Sequence, residues 1–299
     1  LGCHRRWAAL LISELIRSDT TSATYLYIMA SSLLTLVHNR KDALFNTLAG
    51  IARGTVLPSE VVIVYMNDMP YNLPTYPFSI HEVQLKCENG LNLSAARNLA
   101  MANSSNEFNI FLDVDCIPES DLVAKYLDVW NEEGLLWTGS VRYLSKDASK
   151  SPDWQDRLKT LSSPDSLRAG IEPLPYELFW SLNFACSRRV FERIGGFDTR
   201  YVGYGAEDTD FAFQARKNGV RMGTVEATAY HQYHPSYSPP LNHLEKIVQN
   251  AVTFKAKWDT WPMEGWLCKF SEQGYIDWKK DCISLIRLPD AAELAVALK

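Results

Sequence analysis

Short runs of consecutive apolar residues, each followed by a helical pattern, constrain the fold of this chain most. A run at residues 33–37 precedes a helical pattern at 42–53, and the next run covers 61–65. Strands that are apolar on both faces are typical of a parallel sheet with helices on both sides. The chain therefore opens as a βαβ unit of an α/β fold.

The same alternation continues along the chain. Further strands are expected at residues 80–85, 108–112, 135–141 and 222–230. Residues 145–175 are rich in Pro and Ser, which predicts a long loop or lid. One helix is expected from a cap at Asn92 or Ser94 to Ala102, a short one that ends at Gly195-Gly196, and another from Glu207 to Asn218. A further helix is expected in the C-terminal part, with an apolar face formed by Leu244, Ile247, Val248, Ala251 and Phe254.

Composition restricts the possible classes of protein. The 299 residues are 46% hydrophobic and 22% charged, as in an ordinary globular protein. We expect an N-terminal extension at 1–30, one α/β domain at 31–240, and a helical, Trp-rich extension at 241–299.

The net charge of -5 argues against general nucleic-acid binding, which depends on neutralising phosphates. An anionic ligand therefore needs a local site or a metal.

Neither the cysteines nor the apolar stretches point to secretion or to a membrane span. The 6 cysteines form no CxxC pair and no zinc-ligand spacing, which indicates reduced thiols in a cytoplasmic protein. Because Glu14 interrupts the apolar patch of residues 1–17, we expect a loose helix there rather than a signal peptide. The frequent Ser and Thr among residues 20–37 argue against a transmembrane helix.

The C-terminal extension carries tryptophans and lysines with more than one interpretation. Tryptophan at this spacing is more often core than a sugar-stacking or membrane-facing surface. The tryptophans are Trp258, Trp261, Trp266 and Trp278. Basic residues attract anionic lipids, so the lysines of this segment are compatible with peripheral contact with the inner face of an anionic membrane. They are Lys255, Lys257, Lys269, Lys279 and Lys280.

Polar clusters follow three of the predicted strands. They are His38-Asn39-Arg40, Asn67-Asp68 and Asp113-Val114-Asp115. Open α/β sheets bind ligands outside the carboxyl ends of their strands. For any single cluster, it is equally good to assume that polar residues simply follow a strand that ends in solvent, without a binding role. The three clusters together predict one site at one edge of the sheet.

Asp113 and Asp115 are separated by one residue, directly after a buried strand. Extended geometry sends both carboxylates to the same side, where they can share a divalent cation and the sugar-phosphate part of a nucleotide. The D-x-D tripeptide alone is a weak signal, because it occurs by chance in acidic loops.

The stretch GYGAEDTD, from Gly203 to Asp210, is a glycine-rich turn that leads into a helix with acidic first residues. Acids in a first helical turn are favoured by the helix dipole and need no further role. The glycines favour a close approach of the backbone to a ligand, and an acid that faces this ligand suits a general base.

His231 and His234 follow the last predicted strand of the α/β domain. Histidines in such positions are often surface residues. One imidazole added to Asp115 would instead give a mixed oxygen and nitrogen ligand set, which suits Mn²⁺ better than Ca²⁺.

These segments, in this order, resemble the metal-dependent glycosyltransferases of the GT-A fold, family 2 in the broad sense. The C-terminal half is similar to the β-1,4-galactosyltransferases and to chondroitin-polymerase type enzymes. The matching segments are VHNR at 37–40, NLSAARN at 92–98, DVDCIP at 113–118, IGGFD at 194–198, YGAEDTD at 204–210 and the final His pair. The resemblance covers residues 33 to about 240 and makes 31–240 the catalytic domain.

The resemblance implies a fold and a donor site. The fold is the α/β, Rossmann-like fold of nucleotide-diphospho-sugar transferases, with a mixed, mostly parallel sheet flanked by helices. His38, Arg40 and Asp68 would hold the uridine and ribose end of a UDP-sugar. Arg97 would reach the diphosphate or uracil, and Asp113 the ribose or sugar.

The resemblance also implies a metal and catalytic residues. Asp115 would ligate Mn²⁺ or Mg²⁺ together with His234, whose position matches better than that of His231. Asp208 takes the place of the catalytic base, and Glu207 that of an acid that contacts the acceptor. Tyr204 and Gly205 would bind the acceptor. Tyr204 stands where the galactosyltransferases usually have Trp, and Ala206 replaces a second glycine.

The implied activity is inverting, metal-dependent transfer of a hexose or N-acetylhexosamine from a UDP-sugar to a hydroxyl of a glycan or lipid-linked acceptor, as in polysaccharide biosynthesis. The alternative is a non-catalytic module of the same fold that binds a nucleotide sugar or a glycan. An enzyme that makes nucleotide sugars is disfavoured, because residues 38–42 lack the glycine-rich loop such an enzyme needs.

Overall fold

The computed structural model describes residues 30–130 and 134–299. The helix expected at residues 1–17 lies outside these ranges, as do residues 1–29 of the expected extension. No helix in the described residues is long and apolar enough to cross a bilayer. The described cysteines are not paired in disulfides: Cys87, Cys116, Cys186, Cys268 and Cys282.

The centre of the fold is one mixed sheet of 9 strands, counted over the described residues. The strands are β1 (Ser31–Val37), β2 (Glu60–Met66), β3 (Ser79–Leu85), β4 (Phe108–Leu112), β5 (Cys116–Pro118), β6 (Leu136–Leu144), β7 (Ser162–Pro164), β8 (Asn183–Ser187) and β9 (Met222–His231). Their order is β3-β2-β1-β4-β8-β6-β9-β5, and β7 pairs with β6.

Strand direction divides the sheet into two parts. The strands β1 to β4 are mutually parallel. The strand β8 is antiparallel to both of its neighbours, β4 and β6. The last part combines β9, which is parallel to β6, with β5, which is antiparallel to β9. The expected mixed α/β sheet is confirmed.

Helices cover both faces of this sheet. They are α1 (Lys41–Ala52), α2 (Leu93–Asn103), α3 (Leu122–Asp128), α4 (Arg188–Ile194) and α5 (Glu207–Lys217), followed in the C-terminal segment by α6 (Leu244–Trp258), α7 (Glu264–Glu272) and α8 (Ala291–Ala297). Two short strands, β10 (Ile276–Trp278) and β11 (Ile283–Leu285), form a separate antiparallel pair.

Alternate residues of the central strands face different helices. In β2, Val62 and Val64 pack with α2, α4 and α5, whereas Val61 and Ile63 pack with α1 and α3. Because both faces are covered, β1, β2 and β4 are buried along their whole length. This two-sided burial explains the uninterrupted apolar runs.

The structure adds strands that the sequence patterns do not predict. The strand β8 is almost entirely buried although its sequence, NFACS, contains no β-branched residue. It forms because β4 and β6 pair with it on either side. The three-residue strand β5 forms in the same way against β9.

The expected long loop at residues 145–175 contains ordered turns. It includes short 3₁₀ helices at Ala148–Lys150 and Trp154–Asp156, as well as β7. Ala148 and Leu158 pack into a small apolar cluster under this segment, which explains its order. Whether the segment acts as a lid stays a prediction.

The C-terminal segment 241–299 packs around its own apolar cluster. The predicted apolar face of α6 is confirmed, since all five of its residues are buried. Trp261, Trp266 and Trp278 pack against the C-terminal cluster, and Trp258 packs against a cluster shared with α5, as the core interpretation expects. The boundary between residues 240 and 241 stays a prediction.

Candidate active site

Strand pairing brings the predicted clusters to one edge of the sheet. Cys116, which follows Asp115, pairs with His231 across β5 and β9. His231 pairs on its other side with Tyr143 of β6. The turn after β4 is held by Thr47, whose hydroxyl donates a 2.8 Å hydrogen bond to the carbonyl of Val114. The carboxylate of Asp115 and the His pair are therefore fixed as neighbours by the backbone.

Asp115, His231 and His234 form a candidate metal site. The Nε2 atoms of His231 and His234 each lie 3.6 Å from a carboxylate oxygen of Asp115. The three ligand atoms all lie within 4.8 Å of one another. The sequence left the two histidines as alternatives, and the structure brings both to the same carboxylate.

The chemistry of these residues fits a divalent transition metal. The Nδ1–H of His234 donates a 3.0 Å hydrogen bond to the carbonyl of Pro235, because a carbonyl can only accept. This hydrogen bond fixes the tautomer in which Nε2 carries the free lone pair on the side of Asp115. Metal-ligating histidines usually donate their other ring N–H in the same way. Two imidazoles and one carboxylate suit Mn²⁺ better than Ca²⁺.

Gln232 positions the two histidines, although no motif in the sequence indicates this role. Its backbone N–H donates a 2.7 Å hydrogen bond to the carbonyl of Asp115. Its side chain accepts a hydrogen bond from Asn46 and donates one to the carbonyl of Ala43, both in α1. Its place between the two histidines was the only available signal in the sequence.

His38, Asn39 and Asp68 meet at the carboxyl ends of β1 and β2. The Nδ1–H of His38 donates a 2.7 Å hydrogen bond to the carbonyl of Met66, which fixes the ring. The backbone N–H of Asn39 donates to Asp68 at 3.0 Å. The hydroxyl of Tyr71, which the sequence did not single out, also donates to Asp68 and lowers its pKa.

Arg40 connects this strand-end group to the candidate metal site. Its Nη1 lies 3.4 Å from the Oδ2 atom of Asp115, the oxygen that also faces His234. The side chain is only partly buried, so its remaining N–H groups can reach a ligand. A cation beside the metal site suits the negative charge of a diphosphate.

Arg97 lies between the two acidic motifs. Its Nη2 is 3.6 Å from Asp113, and its Nη1 is 3.5 Å from Glu207. The side chain is 4% exposed, and Phe197 packs under the guanidinium at 5.1 Å. Burial raises the pKa of Asp113 to about 6, an effect that the charge of Arg97 opposes. Direct contact of Arg97 with a nucleotide stays a prediction.

Glu207 and Asp208 begin α5 after a left-handed turn. Ala206, directly before them, has a φ of 73° and is buried, so the helix starts abruptly at the two acids. Burial and then the negative charge of Glu207 raise the pKa of Asp208 to about 7, whereas Arg97 lowers it. A carboxylate with a pKa near neutrality is suited to accept a proton.

Tyr204 and Gly205 lie in the same turn, and the C-terminal segment holds them there. The side-chain amide of Asn250 donates hydrogen bonds to the carbonyls of Val202, Tyr204 and Gly205, the last at 2.9 Å. Gly205 has a φ of 97°, a left-handed conformation that residues with a side chain rarely adopt, and a Cβ atom there would also lie 2.7 Å from the sulfur of Met263. The sequence gave no sign of this role of Asn250.

A pocket lies in another part of the fold. It measures about 580 Å³ and lies between β6, β9 and the segment before β8, with Arg142, Asp165 and Arg168 among its lining residues. None of the predicted site residues lines it. The candidate active site lies outside this pocket, at the strand ends.

The architecture defines this chain as a protein of the GT-A fold. The structure of S. aureus TarS residues 1–349 in complex with UDP-GlcNAc is similar, with a TM-score of 0.54 at 16% identity, over 76% of this chain and 67% of that chain. The structure of S. aureus TarS has a TM-score of 0.52 at the same identity, over 76% of this chain and 40% of that one.

The sequence comparison gives the family. Residues 32–195 match the family described as glycosyl transferase family 2, and residues 168–236 match the one described as the N-terminal domain of galactosyltransferase. Since the match to residues 32–195 covers more than half of the chain, the chain belongs to glycosyl transferase family 2.

Two curated relatives are synthases. Chondroitin synthase of Escherichia coli is 24% identical over 243 residues, which are 68% of this chain and 35% of that enzyme. Hyaluronan synthase of Pasteurella multocida is 24% identical over 243 residues, which are 68% of this chain and 24% of that enzyme. The chain thus spans about a third or less of the length of these relatives.

Proposed function

We propose that this chain transfers a hexose or N-acetylhexosamine from a UDP-sugar to a hydroxyl of a glycan or lipid-linked acceptor, with inversion at the anomeric carbon. The observation that carries the proposal is the series of contacts from the Asp115 and histidine cluster, through Asp113 and Arg97, to Glu207 and Asp208. These contacts connect the proposed leaving-group site to the proposed base.

The donor assignment is supported by the strand-end group and by the relatives. His38, Arg40 and Asp68 offer an imidazole, a guanidinium and a carboxylate, which suit the uracil, phosphate and ribose hydroxyls of UDP. TarS, which has the same fold, is described in complex with UDP-GlcNAc. The names of the synthase relatives support a glycan as acceptor.

Asp115, His231 and His234 would hold Mn²⁺ or Mg²⁺. A bound divalent ion supplies Lewis-acid stabilisation of the negative charge that develops on a departing diphosphate. Arg40 adds positive charge on the same side, and Arg97 keeps Asp113 ionised beside it. Contact with a membrane surface and placement in the cytoplasm stay predictions.

Asp208 acts as the base in the proposed reaction. The acceptor oxygen forms a bond to the anomeric carbon while the bond from that carbon to UDP breaks, and UDP leaves with the electron pair. The proton of the acceptor hydroxyl passes to the Asp208 carboxylate. Attack on the face opposite to UDP converts an α-linked donor into a β-linked product.

The test is UDP release from a panel of UDP-Glc, UDP-Gal, UDP-GlcNAc and UDP-GalNAc, with Mn²⁺, Mg²⁺ or EDTA, and with and without glycan acceptors. We expect metal-dependent release that rises with acceptor, and a β-linked product by NMR. Asp208→Asn should retain UDP binding but lose most transfer, whereas Asp115→Ala should lose both.

The non-catalytic alternative makes the opposite prediction for the same panel. UDP-sugar would bind, but no acceptor would increase UDP release.

Retention of the α configuration in the product would contradict the role of Asp208 even if transfer occurred.

A further inference from the structure

The pocket between β6, β9 and the segment before β8 lies where the sheet is irregular. The pairing of β6 with β9 shifts register between Gly139 and Val141. The side-chain amide of Asn183 holds the two strands there, because it donates hydrogen bonds to the carbonyls of Ser140 at 3.1 Å and Ala227 at 2.7 Å. Irregularities of this kind often lie beside binding sites. The pocket volume of about 580 Å³ is within the range of about 300–1,000 Å³ that is typical of small-molecule sites.

Arg168 lines this pocket although it is only 9% exposed. Its Nε donates a 2.7 Å hydrogen bond to the Oδ2 atom of Asp165, and its guanidinium lies 4.5 Å from the centre of the Trp180 ring. The Oδ1 atom of Asp165 accepts from the backbone N–H of Leu167 at 2.9 Å. Within the described residues, neither Nη atom of Arg168 donates a hydrogen bond to the protein. A buried arginine needs partners for these N–H groups, which indicates that a ligand supplies them.

Arg142 adds a second guanidinium to the same lining. It pairs with Pro164 across β6 and β7, next to Asp165 in the chain. Its Nε and Nη2 donate hydrogen bonds to Ser162 at 2.9 and 2.8 Å, which holds the side chain in place and leaves Nη1 for a ligand. Guanidinium groups with free N–H donors suit the planar or tetrahedral oxygens of a carboxylate or phosphate.

The remaining charged residues of the lining are all at least partly exposed to solvent. They are Lys125, Lys159, Glu119, Glu172 and Glu226. Solvent screens these charges, whereas the charge of the buried Arg168 is screened much less. An anionic group of a ligand is therefore attracted to Arg168.

Hydroxyl groups form another part of the lining. Thr138 is 3% exposed, and the described residues provide no hydrogen-bond partner for its hydroxyl. A buried hydroxyl without a partner costs free energy, which a ligand hydroxyl would recover. Ser140, Thr224 and Thr228 also line the pocket. The pocket thus suits a ligand that carries several hydroxyls as well as one anionic group.

We propose that this pocket binds an acidic sugar, which is a hydroxyl-rich ring with one carboxylate or phosphate group. The anionic group contacts the guanidiniums of Arg168 and Arg142, and the ring hydroxyls bond to Thr138 and its neighbours. Because none of the predicted site residues lines the pocket, this is a second binding site. The proposal does not rest on the proposed transfer reaction.

The experiment is a ligand-observed NMR titration of the full chain with three probes that share one ring. Glucuronate carries a carboxylate, glucose 6-phosphate carries a phosphate, and glucose is the uncharged match. We expect at least one acidic probe to bind about tenfold or more tightly than glucose. The two acidic probes show which anionic group the pocket prefers.

The variants locate the binding site. Arg168→Met should weaken binding of the acidic probe about tenfold, because the buried guanidinium is lost. Arg40→Met is the matched control, since Arg40 is an arginine beside Asp115 in the candidate active site, and it should leave this binding unchanged. Thr138→Val removes a hydroxyl that has no protein partner, so the variant should fold and bind the acidic probe about threefold more weakly. Thermal unfolding reports whether each variant is folded.

The outcomes are independent of catalysis. Tighter binding of an acidic probe that is lost in Arg168→Met and kept in Arg40→Met supports the second site, whether or not the protein transfers sugar. Equal affinity for all three probes, the absence of binding, or a loss in Arg40→Met instead of Arg168→Met overturns it. If Arg168→Met does not fold, Thr138→Val decides, and unchanged binding in that variant overturns the proposal.

Discussion

The Nη1 atom of Arg97 lies 3.5 Å from the Oε1 atom of Glu207, although the two residues are far apart in the sequence. The same guanidinium approaches Asp113, so one buried cation lies between the motif after β4 and the motif that begins α5. The two motifs are therefore coupled electrostatically as well as by proximity.

Arg97→Met is expected to lower the free energy of unfolding by about 3 kcal/mol at pH 8, because Asp113 and Glu207 lose their shared cation. Without it, the folded-state pKa of Asp113, which burial already raises, rises further because the charge of Arg97 no longer opposes burial. The stability that remains is greatest when Asp113 is protonated and is lost as the pH rises through that pKa. Urea denaturation at pH 5 and pH 8 measures this difference.

The control is Arg53→Met, which removes an exposed pair with Asp156 and should change stability by less than about 0.5 kcal/mol. A loss for Arg97→Met that is the same at both pH values would contradict the electrostatic role.

The dependence of kcat/KM on pH should show an acidic limb near pH 7, because the base must be ionised and the pKa of Asp208 is about 7. Glu207→Gln removes the neighbouring negative charge and should move this limb to lower pH. Initial rates of UDP release across pH 5 to 9 give both curves.

Glu264→Gln is the matched control, since Glu264 also lies in the first turn of a helix but in α7. It should leave the limb in place. A limb that moves to higher pH in Glu207→Gln would show that Asp208 is not the titrating base.

Asp115→Asn, His231→Gln and His234→Gln should each weaken Mn²⁺ binding by at least about tenfold, because each removes one of three converging ligand atoms. The free Mn²⁺ signal in electron paramagnetic resonance measures binding without turnover. His81→Gln, on the far edge strand beside Glu60, is the control and should bind normally. If only one of the two histidine variants weakens binding, the other histidine is not a ligand.

Asn250→Leu should lower kcat at least about tenfold while UDP affinity changes less than about twofold, because Asn250 shapes the turn before Asp208 without lying at the nucleotide end. The free energy of unfolding should fall by about 1–3 kcal/mol, since partly buried carbonyls lose their donor. Steady-state kinetics, calorimetry with UDP and urea denaturation measure the three quantities.

Asn103→Leu is the control, because Asn103 bonds a single carbonyl at an exposed helix end. It should change none of the three measurements strongly. An equal loss of UDP affinity and kcat in Asn250→Leu would indicate general unfolding rather than positioning of the turn.

The sequence predicted the strands that are buried on both faces, because two-sided burial requires an uninterrupted apolar run. It also predicted the helix that begins at Glu207 and the apolar face of α6, because a glycine turn and a helical period are local signals. It did not predict β5 or β8, whose few residues become strands only by pairing with neighbours.

The same division holds for the candidate site. Short motifs were sufficient to name Asp113, Asp115 and Asp208 as candidates, because their chemistry can be recognised from residue type and spacing. Gln232 and Asn250 were missed, because amides that position a backbone have no motif of their own.

The sequence by itself determined the family, the α/β class and the residue types of the site, since these depend on local pattern and composition. The tertiary structure decided which of these residues meet. Both histidines face one carboxylate because β9 pairs with β5 and β6. Tyr204 is held by His243, Asn250 and Trp266 because α6 and α7 fold back onto the turn before α5. Contacts between such distant segments depend on packing, which no local pattern encodes.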